Sequence, residues 1–120
     1  MGAALLVIVA TFFAGLGVFG LVAPAALVRP FAIELNAPES RSEVRAVYGG
    51  FGIAIAAVLV VAVLDTDLRR GIAIAVAAAL LGMAAGRVVS GLADQRTRFY
   101  PVWFYFLVEL AGAGLLALVR

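Results

Sequence analysis

Residues 1–28 read MGAALLVIVATFFAGLGVFGLVAPAALV and carry no charged side chain. The hydrocarbon core of a bilayer takes about 20 apolar residues of helix, so this run is long enough to cross once. Pro24 and Pro30 predict that the helix stops near Val22, because proline removes a backbone donor and restricts the residue before it. No basic residue precedes the run, and it outlasts the apolar stretch of a secretory signal, so a retained span is expected. Three further runs follow the same pattern. Residues 46–64 are uncharged, 71–92 are interrupted only by Arg87, and 99–119 only by Glu109. The helices are expected at about 3–22, 44–64, 71–92 and 100–119, forming one transmembrane domain over 1–120. Short connectors after the second and third spans make neighbours antiparallel. The expected fold is therefore all-α, an integral membrane four-helix bundle with up-down connectivity.

Composition agrees. The 120 residues are 66 % hydrophobic and 13 % charged, with a mean hydropathy of +1.18. A soluble domain is about 45–50 % apolar and about 25 % charged, so this chain could not cover its own surface in water. A soluble enzyme and a disordered chain are excluded. Without Cys or His, thiol chemistry and zinc or haem ligation through those residues fall away, and neither a metal nor a cofactor is expected. The net charge is +2, every basic residue is Arg, and the arginines are scattered at the ends of apolar runs. Nucleic-acid binding needs a basic patch, which this distribution does not supply.

With four spans, the N-terminus, the second connector and the C-terminus share one side, which carries Arg69, Arg70 and Arg120. The first and third connectors share the other, with Arg29, Arg41, Arg96 and Arg98, and with Arg45 and Arg87 just inside the helices. The positive-inside rule makes the first and third connectors cytoplasmic, and Tyr100, Trp103 and Tyr105 mark an aromatic belt at that surface. The long first connector, 24–42, is either a short interfacial helix or an ordered loop over the end of the bundle.

Small residues recur on two spans. Ala78, Gly82, Gly86 and Ser90 repeat every four residues, as do Ala46, Gly50 and Ala54, with Gly49 and Gly52 beside them. Small faces let helices approach closely inside lipid, so both are expected to pack within the bundle, with homodimerisation the other use. Gly15-Leu16-Gly17-Val18-Phe19-Gly20 matches a dinucleotide-binding pattern, but no strand precedes it, so the match is read as accidental.

The functional signal lies in polar residues within the membrane. Glu109 has an apolar decade on either side, near the bilayer centre, where an isolated charge costs at least ~2.5–3.5 kcal/mol. Arg87 lies about 7–8 Å below the connector end of its helix, and Glu109 about 12–15 Å below the same end. Side chains lean toward their own helix N-terminus, so on antiparallel helices these two lean toward each other. The second span begins Glu43-Val44-Arg45-Ala46-Val47-Tyr48. Ser42 is the expected N-cap, Glu43 suits the helix dipole, and Arg45, Tyr48 and Gly52 share a stripe. The candidate site is therefore Glu43, Arg45, Tyr48, Arg87, Ser90 and Glu109. A structural use of the same residues is a helix cap, snorkelling to headgroups and a register lock.

Glu43-Val44-Arg45-Ala46-Val47-Tyr48-Gly49-Gly50, followed by Gly86-Arg87-Val88-Val89-Ser90, resembles the domain of unknown function 4345 family from Glu43 onward. The resemblance implies a small four-helix protein of the bacterial inner membrane and brings no reaction or ligand. In architecture alone the chain is also similar to DoxX-like proteins. Three functions compete. The first is a binding or accessory protein holding a lipid, a quinone-like molecule or a membrane-complex partner at the polar cluster. The second is a dimeric proton-coupled transporter using Glu109, against which the nearness of Arg87 weighs. The third is a membrane enzyme using Glu43, Tyr48 or Glu109, for which no His, Cys or metal-ligand spacing speaks.

Overall fold

The structure is a computed structural model describing residues 1–120, and it is helical throughout, with no strand. Four helices are long and apolar enough to cross a membrane: α1 (Gly2–Val22), α3 (Pro38–Leu64), α4 (Thr66–Ala93) and α5 (Phe99–Ala117). A short helix α2 (Pro24–Val28) and a 3-10 turn (Arg29–Phe31) lie in the first connector. That turn closes on Ala32 in the left-handed conformation at φ 59°. Large apolar side chains such as Val7, Ile8, Phe51, Ile74 and Leu81 stand on the outside. Such a surface suits lipid, since a water-soluble protein rarely exposes apolar area on this scale.

Two helices begin earlier than hydropathy suggests. α3 starts at Pro38, with Ala37 as a cap that makes no side-chain bond, so Ser42 and Glu43 lie inside the helix rather than at its end. Proline suits the first helical position because its missing N–H would have been unpaired there anyway. α4 starts at Thr66, capped by the Asp65 carboxylate, which accepts from the N–H groups of Asp67 (2.9 Å) and Leu68 (3.3 Å). Asp65 thus ends one helix and starts the next. The carbonyls that α3 leaves unpaired at its end take the Arg69 guanidinium, at 2.9 Å on Ala62 and 2.8 Å on Val63. The expected helix boundaries failed here because apolar content marks what lies in lipid, and a helix continues past that limit while its backbone bonds continue.

The main core joins Leu6, Val9, Ala10 and Phe13 of α1 to Ala56, Leu59 and Ala62 of α3. On the other side it takes Ala73, Val76, Ala77 and Leu80 of α4, then Ala113 and Leu116 of α5. At this end Gly2 lies beside Arg69, Val119 and Arg120, each about 4 Å from where its Cβ would stand. A smaller core at the opposite end joins Leu27 and Val28 to Val44, with Leu16, Leu35 and Tyr48 against it. The first connector is therefore packed down over the helix ends, and its short helix is part of that packing.

The closest approach is between α1 and α3, and it runs through glycine. A Cβ on Gly17 would stand 2.7 Å from the Ile53 nitrogen, one on Gly20 2.8 Å from the Gly49 nitrogen, and one on Gly52 2.9 Å from the Gly17 Cα. Gly17 and Gly20 belong to the accidental dinucleotide pattern, and their use is helix crossing. α3 also widens to a π-helical stretch over Arg45–Gly50 here, which turns the register of that face.

Both expected small faces need correction. Ala78, Gly82, Gly86 and Ser90 are all exposed, and a Cβ on Gly82 or Gly86 would meet nothing within 4 Å. The buried face of α4 runs instead through Ala73, Val76, Ala77, Leu80 and Ala84. On α3, likewise, Ala46, Gly50 and Ala54 are exposed while Gly49, Gly52 and Ala56 are buried. The reason is that these helices are apolar on every side, so spacing alone offered two stripes of small residues and no ground for choosing between them.

Candidate functional site

Arg87 of α4 and Glu109 of α5 meet across the helix pair. Nε of Arg87 donates to Oε1 of Glu109 at 2.9 Å, and Nη2 donates to Oε2 at 3.0 Å. This two-pronged geometry matches the guanidinium fork to the carboxylate and is the strongest form of such a contact. Glu109 is 4 % exposed and is the one buried charged residue of the chain; the pair is the chain's one ion pair. In a low-dielectric surrounding, both carboxylate oxygens need partners, and here both have one.

Aromatic rings complete the setting of Arg87. Its guanidinium carbon lies 5.6 Å from the centre of the Phe31 ring and 5.9 Å from that of Tyr105. Those two rings touch each other, with centroids 5.5 Å apart. Both are within the range at which a cation is attracted to a ring face. Phe31 comes from the first connector, so the segment that packs over the helix ends also covers the ion pair. Nothing in the sequence pattern assigned Phe31 this place.

One space adjoins the pair on its inner side, and a larger one lies beyond it, lined by neither Arg87 nor Glu109. A narrow cavity of about 50 Å³ is walled by Phe12, Phe13 and Leu16 of α1, Leu27, Val28 and Phe31 of the connector, Tyr48 of α3, Leu80, Met83 and Arg87 of α4, and Tyr105, Val108 and Glu109 of α5. Next to it, a groove of about 490 Å³ lies between residues 46–55 of α3 and 76–83 of α4, and every lining residue is hydrophobic. Phe13, Leu16, Tyr48, Leu80 and Met83 belong to both walls. A groove of this volume is within the usual range for a small-molecule site, about 300–1,000 Å³.

Of the six candidate residues, the structure thus brings Tyr48, Arg87 and Glu109 to one cavity and leaves three elsewhere. Glu43 is exposed on α3 and makes no ion pair. Arg45 donates from Nε to the Leu21 carbonyl at 3.1 Å, so it closes the end of α1 rather than joining the intramembrane pair. Ser90 is exposed and lines a separate basin on the outer side of Arg87. Depth below the membrane surface was the shared property of the six, and depth does not fix the direction a residue faces around its helix.

Four membrane-length apolar helices with one buried ion pair define a small multi-pass α-helical membrane protein. The chain belongs to the family described as Domain of unknown function (DUF4345), whose model matches residues 2–119. The match extends through α1 as well as the part from Glu43 onward. No curated protein and no solved structure gives a match to the chain.

Proposed function

We propose that this chain is a small membrane binding protein for an amphiphile drawn from the bilayer, a lipid or a quinone-like molecule. The apolar part would lie in the α3–α4 groove, and the polar part would reach Tyr48 and Arg87. The observation that carries this reading is the wall shared by the groove and the ion-pair cavity. An apolar trough ending at a few convergent polar groups is the usual build of a small-molecule site. The transporter alternative asks Glu109 to take and release a proton with access to both sides. It ranks second because Glu109 is 4 % exposed and both its oxygens are committed to Arg87.

The test uses Ala79→Phe, which places a ring in the groove from an exposed position on α4. Mass spectrometry of the intact protein, released from mild detergent, should show an adduct of lipid or quinone mass on the wild type. The adduct should be lost from the variant at unchanged thermal stability. A bare wild type, or an adduct equally strong on Ala79→Phe, would count against the groove.

The same reading includes topology. Gly2 beside Arg69, Val119 and Arg120 supports an antiparallel up-down bundle with both termini on one side. The arginines of the other side favour the first and third connectors as cytoplasmic. Reporters fused to the two termini should give the same, extracytoplasmic, location. Opposite locations would contradict the span count, and two cytoplasmic ones the orientation.

A further inference from the structure

The outer side of Arg87 holds a second space, distinct from the groove. It is a basin of about 360 Å³ where α4 runs out into the third connector, lined by Arg87, Ser90, Gln95, Arg96, Thr97 and Trp103, with Gly91 and Val102 completing it. The polar lining is uniform in one respect: each of these six side chains can donate a hydrogen bond, and none is acidic. Arg87 spends Nε and one N–H of Nη2 on Glu109, and its other N–H groups have no acceptor in the protein. Arg96 has no ion-pair partner, since the chain's one ion pair is Arg87–Glu109.

The geometry points to a binding site for an anionic oxyacid group, a phosphate above all, held between Arg96 and the outer edge of Arg87. Guanidinium groups match phosphate oxygens in two-pronged fashion, and hydroxyl, amide and indole donors complete the shell. Trp103 forms one wall. Its ring lies against Gly91, where a Cβ would stand 3.0 Å from the ring, and it is braced by Phe106 at 5.3 Å between centroids. Two features oppose an anion. The C-terminal end of α4 carries a partial negative charge, and Asp94 stands next to Gln95, whose N–H it accepts at 2.8 Å. Asp94 is not part of the lining, and the helix end carries only a fraction of a charge. Arg87 offsets Glu109, and Arg96 adds a full positive charge to the basin itself. The phosphate could belong to an anionic lipid headgroup or be free in solution; the chemistry of the site is the same for both.

Trp103 is the chain's single tryptophan, so its emission reports the basin directly. Full-length protein in detergent would be titrated with dioctanoyl phosphatidic acid, dioctanoyl phosphatidylcholine and inorganic phosphate. The expected result is a saturable change in Trp103 emission with phosphatidic acid and a far weaker one with phosphatidylcholine. Arg96→Gln should raise the half-saturation concentration at least tenfold, and Arg98→Gln, outside the lining, should leave it in place. Arg96 is exposed in a connector, so its variant should fold, and an unchanged melting temperature checks this. An Arg96-dependent change with inorganic phosphate at similar concentrations would identify a free oxyanion as ligand. A response confined to the lipid would identify a headgroup. The site is overturned by no saturable response to either phosphate source, by an equal response to phosphatidylcholine, or by equal effects of Arg96→Gln and Arg98→Gln. Ala79→Phe should not alter the titration, which separates the fate of this site from that of the groove.

Discussion

Arg87→Leu and Glu109→Leu are each expected to cost about 3–5 kcal/mol of stability, and the double variant to recover most of that loss. The reason lies in the geometry of the pair. Both carboxylate oxygens of Glu109 are bonded to Arg87, and Glu109 is buried among apolar side chains. Removing Arg87 strands the Glu109 carboxylate away from water, and removing Glu109 leaves the half-buried Arg87 guanidinium without its acceptor. Removing both leaves apolar atoms among apolar atoms. Arg87→Lys should fall between wild type and Arg87→Leu, because an ammonium keeps the charge and loses the fork. The measurement is a double-mutant cycle on thermal stability in detergent. Additive losses would show that the two residues do not support each other. A double variant that folds but no longer retains a bound amphiphile would place the pair in function as well as in architecture.

Gly52→Ala and Gly20→Ala are expected to lower stability by about 1–3 kcal/mol, the usual cost of forcing extra volume into a packed interface. A Cβ at Gly52 would stand 2.9 Å from the Gly17 Cα and 3.0 Å from the Phe13 carbonyl oxygen. One at Gly20 would stand 2.8 Å from the Gly49 nitrogen. These neighbours are backbone atoms, so relief requires α1 and α3 to move apart as whole helices. Gly82→Ala and Gly86→Ala have open space around them and should be neutral or slightly stabilising, since alanine is the better helix former by about 1 kcal/mol. Thermal melts of the four single variants in one detergent decide the matter. A loss at Gly86→Ala as large as that at Gly52→Ala would mean that the small stripe of α4 packs against another surface, such as a second copy of the chain.

At these glycines the sequence pattern pointed to the wrong face, whereas at the charged pair it pointed to the right one. Arg87 and Glu109 were legible as a pair because each interrupts an otherwise apolar run. Their depths and the lean of helical side chains left few ways for them to miss each other. Tyr48 shares their cavity for a related reason, since it sits a turn inside its span. Arg45 and Ser90 have the same approximate depth but point elsewhere, one to the Leu21 carbonyl and the other to the outer basin. Phe31 escaped notice because its place over Arg87 depends on how the first connector folds back, and no periodic signal encodes that return.

Hydropathy alone was enough for four membrane-length apolar helices and for one Arg and one Glu facing each other within them, though not for where two of those helices begin. Hydrocarbon sets these, because an unpaired backbone group or charge in lipid is too costly for the chain to have alternatives. Only the tertiary structure decided how each helix is rotated about its axis. That rotation put Gly17, Gly20, Gly49 and Gly52 in contact and turned Gly82 and Gly86 outward. It also opened the groove between α3 and α4 beside Tyr48. Helices that are apolar all round have no preferred face, so their rotation is settled by where backbones approach most closely, a property of pairs of helices and not of any one of them.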